Sequence, residues 1–293
     1  MNRLLDRLAE GVLVADGAMG TMLQSAGLGP GGCGEAWNVE RPQVILEIHE
    51  AYREAGADLI TTNTFGGNPQ RLAFHGRADD VQELSRAGAV LARSAAGEDG
   101  LVLGDLGPSG EVLAPLGTLE ADDWSRGCRL QSEALLSGGA DAIIVETQYA
   151  VTEMTLAVEA AHAAGATVVL ASFAFGKTPS GPRTMMGTTP REAAEAMVRV
   201  GADVIGMNCG TGLDREDHER VLEAYRSVTA LPLLVQPNAG DPASMGGEQV
   251  HPFAPDDLAA WFDSLVGKGA AIVGGCCGAT PEHIRAFAQQ RRG

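Results

Sequence analysis

The stretch GADAIIVET, at residues 139–147, joins a glycine that follows a helix-like segment to an apolar run that ends in an acid. Similar openings occur at GADLI (56–60), GADVI (201–205) and GAAIV (269–273). A glycine at a helix C-terminus followed by a buried strand is typical of the second half of a strand–helix–strand unit. The recurrence therefore predicts helices alternating with parallel strands.

Eight apolar runs form the predicted strands. They are VLVAD (12–16), DLITTNTF (58–65), LVLGDLG (101–107), DAIIVET (141–147), TVVLASFAF (167–175), DVIGMNC (203–209), LPLLVQP (231–237) and AAIVGGCC (270–277). Helices are predicted between them, several with proline at the first helical position: Pro42, Pro190, Pro255 and Pro281. Because the runs are almost continuously apolar, they predict a parallel sheet covered on both faces.

Eight such units in 293 residues predict an α/β fold of the (β/α)8 TIM-barrel type, a closed parallel sheet, with residues 1–293 as a single domain. An open doubly wound sheet fits less well, because no GxGxxG motif follows the first strand.

Composition argues against several classes of function. A formal net charge of −17 disfavours binding to nucleic-acid phosphates, and no basic amphipathic stretch indicates a membrane surface. No apolar run is long enough to span a bilayer, and the N-terminus lacks a signal-peptide layout. The five cysteines are few and odd in number, which predicts a reducing cytoplasm where thiols act as ligands, catalysts or core residues.

Reactive side chains of a TIM barrel lie where its strands end. The predicted strands here end in polar residues: Asp16, Thr62 and Asn63, Asp105, Glu146 and Thr147, Asn208 and Cys209, Gln236 and Asn238, and Cys276 with Cys277. Since only one strand separates strands six and eight around a closed barrel, we expect Cys209, Cys276 and Cys277 to lie close together.

Three thiols on one rim predict a zinc site. Zinc accepts sulfur ligands, and three protein ligands with an open position are typical of a catalytic site. Gly274, Gly275 and Gly278 would let the backbone curl so that both adjacent thiols reach one ion. The alternative is that a cysteine is a small core residue, which we favour for Cys33 and Cys128.

A zinc site of this kind favours one type of chemistry. A substrate thiol at the open position would lose its proton, because the metal stabilises the anion. Thiolate ligands leave electron density on sulfur, whereas zinc that polarises water or a carbonyl more often has His or carboxylate ligands. The residues therefore predict alkyl transfer to sulfur.

Seven motifs carry a resemblance to a known family. They are DGAMGT (16–21), TNTF (62–65), GDLGPSG (104–110), ET (146–147), NCG (208–210), PNAG (237–240) and GGCCGATPEHI (274–284). Together they resemble the homocysteine S-methyltransferase family: closely the homocysteine-binding barrel of cobalamin-dependent methionine synthase, and more distantly betaine–homocysteine methyltransferase. The resemblance runs from about residue 10 to the C-terminus. It implies a zinc-dependent enzyme on a TIM barrel that methylates homocysteine to give methionine.

The resemblance also implies a metal site. Cys209, Cys276 and Cys277 match the ligands of one Zn²⁺ ion per chain, and no catalytic side chain beyond this site is implied. Asn238 lies where some family members place a displaceable fourth ligand. Asn238 is also a common turn residue after proline, so a purely local role stays open.

The substrate side of the pocket is implied in the same way. Backbone N–H groups of Gly17 and Ala18 would hold the amino-acid carboxylate, and Asp16 and Glu146 would receive the ammonium group. Asp16 has the alternative of a turn residue, whereas an acid ending the run IIVE would be buried without a partner. Further pocket candidates are Thr147, Asn63, Asp105 and Thr62.

The sequence constrains the identity of the methyl donor less than that of the acceptor or the metal. Folate and corrinoid modules of the synthase do not follow the barrel here, which implies a methyl group carried by a separate corrinoid protein. A diffusible donor is the alternative: S-methylmethionine, S-adenosylmethionine, betaine or another onium compound. Such a donor would need aromatic side chains near the pocket. Phe65, Phe173 and Phe175 are candidates, although we expect them to fill the core.

Two functions of other classes compete with a methyltransferase. A Schiff-base aldolase needs a lysine at a strand end, and Lys177 is the candidate. A zinc-binding or thiol-redox subunit of a larger complex would use the three rim cysteines without a thiol substrate. His49 and His162 fall within predicted helices, and we expect both to be exposed to solvent.

Overall fold

The structure, a computed structural model, describes residues 2–245 and 248–292. Its strands are β1 (Leu13–Val14), β2 (Leu59–Thr61), β3 (Leu101–Leu106), β4 (Ala142–Gln148), β5 (Val169–Phe173), β6 (Val204–Asn208), β7 (Leu233–Gln236), β8 (Ala243–Met245), β9 (Glu248–Val250) and β10 (Ala270–Val273). Its helices are α1 (Arg3–Glu10), α2 (Met19–Ser25), α3 (Trp37–Glu40), α4 (Pro42–Ala55), α5 (Pro69–Ala73), α6 (Val81–Ala96), α7 (Ala121–Ser137), α8 (Val151–Ala163), α9 (Pro190–Val200), α10 (Arg215–Arg226), α11 (Pro255–Ala259), α12 (Phe262–Gly267) and α13 (Pro281–Gln290), with a 3-10 turn at Ala78–Asp80.

Eight parallel strands form the barrel, in the order β1-β10-β7-β6-β5-β4-β3-β2. The two ends of this sheet meet through a parallel bridge between Ala15 and Leu59. Two backbone hydrogen bonds reinforce the closure, from Asp16 N–H to Leu59 O (3.1 Å) and from Asp58 N–H to Val14 O (2.7 Å). The predicted (β/α)8 TIM barrel is confirmed, and β10 is its eighth strand. The antiparallel hairpin β8–β9 is a separate small sheet.

The repeated glycine-led motif has a common structural role. Its glycines all have positive φ, a conformation glycine adopts without steric cost: Gly56 (106°), Gly139 (105°), Gly201 (88°) and Gly269 (98°). Each aspartate of the motif accepts a hydrogen bond at 2.8 Å from the preceding barrel strand: Asp58 from Val14 N–H, Asp141 from Val102 N–H, and Asp203 from Val169 N–H. The motif thus ends a helix and joins two neighbouring strands.

The fourth copy of the motif, GAAIV, has Ala271 where the others have aspartate. In that copy the pairing of β10 with β7 shifts register between Ala270 and Ile272. Among the four copies of the motif, the one without the carboxylate has a register shift at its junction with the preceding strand.

Two apolar layers hold the barrel together. Alternate strand residues such as Leu103, Ile144 and Leu170 form an inner cluster, which Leu4 of α1 joins. The other face of the strands packs with the surrounding helices in a larger cluster. Across the part of the chain that the structure describes, no helix has the length and apolar composition needed to cross a membrane.

Several predicted strands extend too far at their carboxyl ends. β2 ends at Thr61 rather than residue 65, and β10 ends at Val273 rather than residue 277. The residues beyond these ends form loops whose backbone groups bond elsewhere, as Cys276 N–H does to Pro237 O (2.9 Å). The prolines predicted at helix starts are all confirmed: Pro42, Pro190, Pro255 and Pro281.

His49 corrects the expectation of a solvent-exposed histidine. It is fully buried, because it lies on the inner face of α4 beside Ile45, Ile48 and Tyr52. Burial lowers its pKa to about 3, so the ring is neutral. His162 is half-buried, and its ring nitrogens face the carbonyls of Ala166 and Gly201.

Candidate functional site

A pocket of about 370 Å³ opens at the carboxyl ends of the strands. Most of the predicted site residues line it: Asp16, Gly17, Ala18, Thr62, Asn63, Asp105, Glu146, Thr147, Cys209, Cys276 and Cys277. Asn238 is not among the lining residues. The polar strand ends therefore converge on one cavity, as the barrel geometry requires.

Cys209, Cys276 and Cys277 form a tight cluster on one side of this pocket. Their Sγ atoms all lie within 4.8 Å of one another, and those of Cys209 and Cys277 are 3.8 Å apart. Two thiolates on a tetrahedral zinc at 2.3 Å would be roughly 3.8 Å apart. The donor set and its spacing thus fit Zn²⁺, and we find no second cluster of this kind among the described residues.

The loops that carry the thiols are fastened to each other. Cys277 N–H donates to Asn238 Oδ1 (3.0 Å), and Asn238 Nδ2 donates to Gly210 O (2.9 Å). Cys277 O in turn accepts from Ala239 N–H (2.9 Å). The Asn238 amide therefore bridges the cysteine loops that follow β6 and β10, with both of its ends in contact with the backbone.

The three thiols change one another's pKa values. Hydrogen bonds from Cys276 and Cys277 lower the pKa of Cys209, because they stabilise its thiolate. The same contacts with Cys209 come first among the causes that raise the pKa of Cys276 and of Cys277. The Cys209 thiol therefore ionises more readily than the other two, and a bound metal ion would displace protons from the cluster.

Three carboxylic acids face the thiols across the pocket. Burial raises the pKa of Asp16 to about 7, although its oxygens accept from Thr61 N–H (2.7 Å) and Thr61 Oγ1–H (2.8 Å). Burial, with the charges of Cys209 and Asp16, raises the pKa of Glu146 to about 8. Burial and the charge of Glu146 hold the pKa of Asp105 well above its usual value, and its Oδ1 is buried without a partner.

These acids have no cation of the protein's own. Within the described ranges, no Lys, Arg or His side chain lies within 4.0 Å of Asp16, Asp105 or Glu146 as an ion-pair partner. Such an arrangement favours a ligand that brings a positive charge, because the cation stabilises the ionised acids.

The backbone after β1 needs one correction. Ala18 N–H was expected to be free for a ligand carboxylate, but it donates to Ala279 O (2.9 Å). Gly17 N–H has no hydrogen-bond partner among the described residues. A Cβ at Gly17 would meet Ala279 O at 2.5 Å and the Tyr52 ring at 2.9 Å, so only glycine fits this approach.

Comparison with known proteins agrees with this geometry. The sequence profile described as "Homocysteine S-methyltransferase" matches residues 13–291. The chain belongs to the homocysteine S-methyltransferase family.

Two methionine synthases, from Mycobacterium leprae and Mycobacterium tuberculosis, are each 38% identical to the chain over 303 aligned residues. The alignments cover 97% of the chain, which spans 25% of the length of these relatives. The metallated form of the homocysteine methyltransferase MmuM from Escherichia coli superposes with a TM-score of 0.77 at 28% identity, covering 98% of both chains. Its oxidised form gives 0.76 at 27% identity, covering 95% of this chain and 96% of MmuM.

Sequence reasoning missed two residues: Tyr52, which lies outside the pocket lining, and Glu35, which is part of it. Tyr52 of α4 is buried, and its hydroxyl lies 3.1 Å from Ala18 O and 2.9 Å from Ala279 O. Glu35 lines the pocket and accepts from Gly66 N–H (2.7 Å). Tyr52 gave no local signal because it matches the apolar face of a helix, and Glu35 lies in no motif.

Lys177, the lysine considered for an aldolase, and two of the three candidate aromatic residues lie outside the pocket lining. Lys177 is about half exposed and forms ion pairs with Asp214 and Asp217 (2.8 Å). It does not line the pocket, so the arrangement does not support a Schiff-base aldolase. Phe173 and Phe175 are buried in the core, and only Phe65 of the three candidate aromatics reaches the pocket.

The two remaining cysteines do not line the pocket. Cys128 is buried within α7, as expected. Cys33 is partly buried, and its Sγ lies 3.6 Å from Glu35 Oε2.

Proposed function

We propose that this protein is a zinc-dependent methyltransferase that transfers a methyl group to the thiol of homocysteine and so forms methionine. One observation carries the proposal: three cysteine thiols with zinc-like spacing share a pocket with unpaired acids that suit an ammonium group. Membership of the homocysteine S-methyltransferase family supports the choice of acceptor. We take residues 1–293 as one catalytic domain.

Cys209, Cys276 and Cys277 would hold the metal. Zinc bound there supplies Lewis acidity, which favours the thiolate form of a sulfur substrate at neutral pH. Asn238 keeps the two cysteine loops in register through its contacts with Cys277 N–H and Gly210 O. A role for Asn238 as a displaceable fourth ligand would use the second lone pair of its Oδ1, since Cys277 N–H occupies the first.

The acids orient the substrate. The Glu146 carboxylate makes no hydrogen bond among the described residues, so it is free to receive the ammonium of homocysteine, together with Asp16. The free N–H of Gly17 suits the carboxylate of the amino acid. Asp105 and Thr147 line the same pocket. Asn63 supports the pocket wall, since its Nδ2 donates to Gly34 O (2.9 Å).

For the methyl donor we propose a separate methyl-corrinoid protein. The higher identity to methionine synthases, 38% against 28% for MmuM, favours this choice. The pocket also offers only one of the three candidate aromatics, Phe65, for stabilising an onium cation.

A small diffusible donor such as S-methylmethionine, S-adenosylmethionine or betaine is the second candidate. We retain it because MmuM, a homocysteine methyltransferase, matches this barrel over 98% of both chains. The third reading, a zinc-binding or thiol-redox subunit, predicts metal without any bound thiol substrate.

The test is an assay of methionine formation from homocysteine with zinc-loaded protein and a panel of donors. The panel contains a methyl-corrinoid protein, methylcobalamin, S-methylmethionine, S-adenosylmethionine and betaine. We expect turnover with the methyl-corrinoid protein and none after Cys276→Ala. Turnover with an onium compound alone would select the second candidate. Normal turnover by a metal-free Cys276→Ala variant would overturn the mechanism.

A further inference from the structure

Asn208, the last residue of β6, lies behind the pocket with a side chain that is 1% exposed. Its Oδ1 accepts from Thr147 N–H (2.9 Å) and Ser172 Oγ–H (2.6 Å). Its Nδ2 donates to Thr147 Oγ1 (2.7 Å) and points at Cys276 Sγ (3.8 Å). These contacts use both acceptor positions and both donor hydrogens of the amide. Because Thr147 N–H can only donate, it fixes which end of the amide faces Cys276.

The backbone is unusual at two residues beside Asn208: Thr147, its hydrogen-bond partner, and Cys209, which follows it in the chain. Thr147 (φ 56°) and Cys209 (φ 58°) are the non-glycine residues with positive φ among those described. A β-branched residue rarely adopts this conformation, and surrounding contacts must hold it there. Asn208 supplies such contacts to Thr147 through its side chain and precedes Cys209 in the chain. Both strained residues line the pocket.

We propose that Asn208 is a positioning residue that sets the substrate side and the metal side of the pocket at once. It holds the bulge of β4 at Glu146 and Thr147, where Glu146 would receive the homocysteine ammonium, and it directs an N–H group at the Cys276 ligand. The inference rests on the proposed zinc and homocysteine sites. Removing a hydrogen-bonding partner of a metal ligand typically weakens metal binding 10- to 100-fold.

The first experiment measures two affinities of Asn208→Ala. Zinc affinity of the metal-free protein is measured by competition with a chromophoric chelator, and homocysteine affinity of the zinc-saturated protein by calorimetry. We expect both to weaken about tenfold or more. Neither measurement needs a methyl donor.

Asn68→Ala is the matched control. Asn68 is a buried amide on the same rim that caps α5 through Arg71 N–H (2.9 Å), and it does not line the pocket. Its replacement lowers stability by removing a helix cap. We expect both affinities of this control to change less than about twofold, so that lost stability alone is separated from lost positioning.

A second pair of variants tests the contact with Thr147. Glycine adopts positive φ without supporting contacts, so Thr147→Gly should make the backbone of this bulge independent of Asn208. In that background Asn208→Ala should weaken homocysteine binding less than about threefold, while its effect on zinc affinity stays tenfold. Equal losses of homocysteine affinity in both backgrounds would overturn this part of the proposal.

The outcomes separate the positioning role from the function on which it rests. A wild-type protein that binds neither zinc nor homocysteine overturns both. Wild-type binding that Asn208→Ala leaves within twofold overturns only the positioning role. If Asn208→Ala does not fold, Ser172→Ala, which removes one hydrogen bond to Oδ1, should weaken both affinities about two- to fivefold. No change in either would count against the proposal.

Discussion

Burial and charge at single residues couple ligand binding in this pocket to protonation. Asp16 and Glu146 have pKa values raised to about 7 and about 8, mainly because burial disfavours the carboxylate. A ligand ammonium reverses that penalty, because it stabilises the charged form. Binding of an amino acid should therefore release protons, and it should strengthen as pH rises.

Glu146→Gln tests this coupling. Methionine is the suitable ligand, because it carries the ammonium and carboxylate but no thiol. For the wild type we expect affinity to rise between pH 6 and 8.5, as Asp16 and then Glu146 ionise. The variant should bind about tenfold more weakly at pH 8.5, since it lacks one charge-assisted contact. Its residual pH dependence should centre near 7, the value for Asp16. Calorimetry at several pH values measures the methionine affinity and its pH dependence. A variant with the same pH profile as the wild type would contradict the role given to Glu146.

The residue types of the site could be predicted, but their contacts could not. Cys209, Cys276 and Cys277 fall at strand ends, so the barrel brings them together whatever the side chains around them. The Ala18 amide was assigned to a ligand, yet it bonds to Ala279, near the other end of the chain. No local pattern encodes a partner at that distance.

Among the elements, α4 connects the loop after β1 with the loop after β10. The hydroxyl of Tyr52 lies within hydrogen-bond distance of the carbonyls of Ala18 and Ala279, so one helix side chain holds the loop after β1 against the loop after β10. The sequence predicted the helix but not this contact, because a tyrosine on an apolar helix face looks like core.

Tyr52→Phe should separate this role from general packing. We expect a loss of about 1 kcal/mol in the free energy of unfolding and a severalfold weaker homocysteine affinity. Tyr225→Phe is the matched control, since Tyr225 is equally buried and its hydroxyl also meets a backbone carbonyl, that of Gly206 (3.0 Å). The control should lose similar stability and keep its homocysteine affinity. Urea unfolding and calorimetry measure the two effects, and equal affinity in both variants would argue against the role of Tyr52.

The aspartates of the repeated motif should differ in their contribution to stability. Asp203 accepts one backbone N–H, whereas Asp58 also forms ion pairs with Arg7 (2.9 Å) and Arg291. Asp203→Ala should therefore cost about 1.5–3 kcal/mol, the range for a hydrogen bond to a charged group. Asp58→Ala also removes two ion pairs with partly exposed arginines and should cost up to about 2 kcal/mol more than Asp203→Ala, since each such pair adds about 0–1 kcal/mol. Urea unfolding of the two variants measures both losses of stability. A larger loss for Asp203→Ala than for Asp58→Ala would show that the ion pairs of Asp58 do not stabilise the fold.

At the scale of the whole molecule, the order of the strands in the sheet brings the three cysteines together. Cys209 follows β6 and Cys276 follows β10, and β7 lies between these strands in the sheet. Counting alternating units predicted this arrangement, because eight strands can bury both faces by closing. The identity of the methyl donor could not be predicted in the same way. It depends on the surface above the pocket, where no periodicity constrains the residues.

Bound zinc should therefore link parts of the chain that are far apart in sequence and so stabilise the folded state. A ligand at 1,000 times its dissociation constant stabilises the folded state by about 4.1 kcal/mol. For a chain of 293 residues this corresponds to a rise in melting temperature of about 7 °C. Scanning calorimetry with saturating zinc, and then with excess chelator, should show this difference for the wild type. Cys33→Ala should keep the difference, because Cys33 lies outside the cluster, and Cys276→Ala should lose it. A rise of equal size in Cys276→Ala would mean that zinc stabilises the protein at some other site.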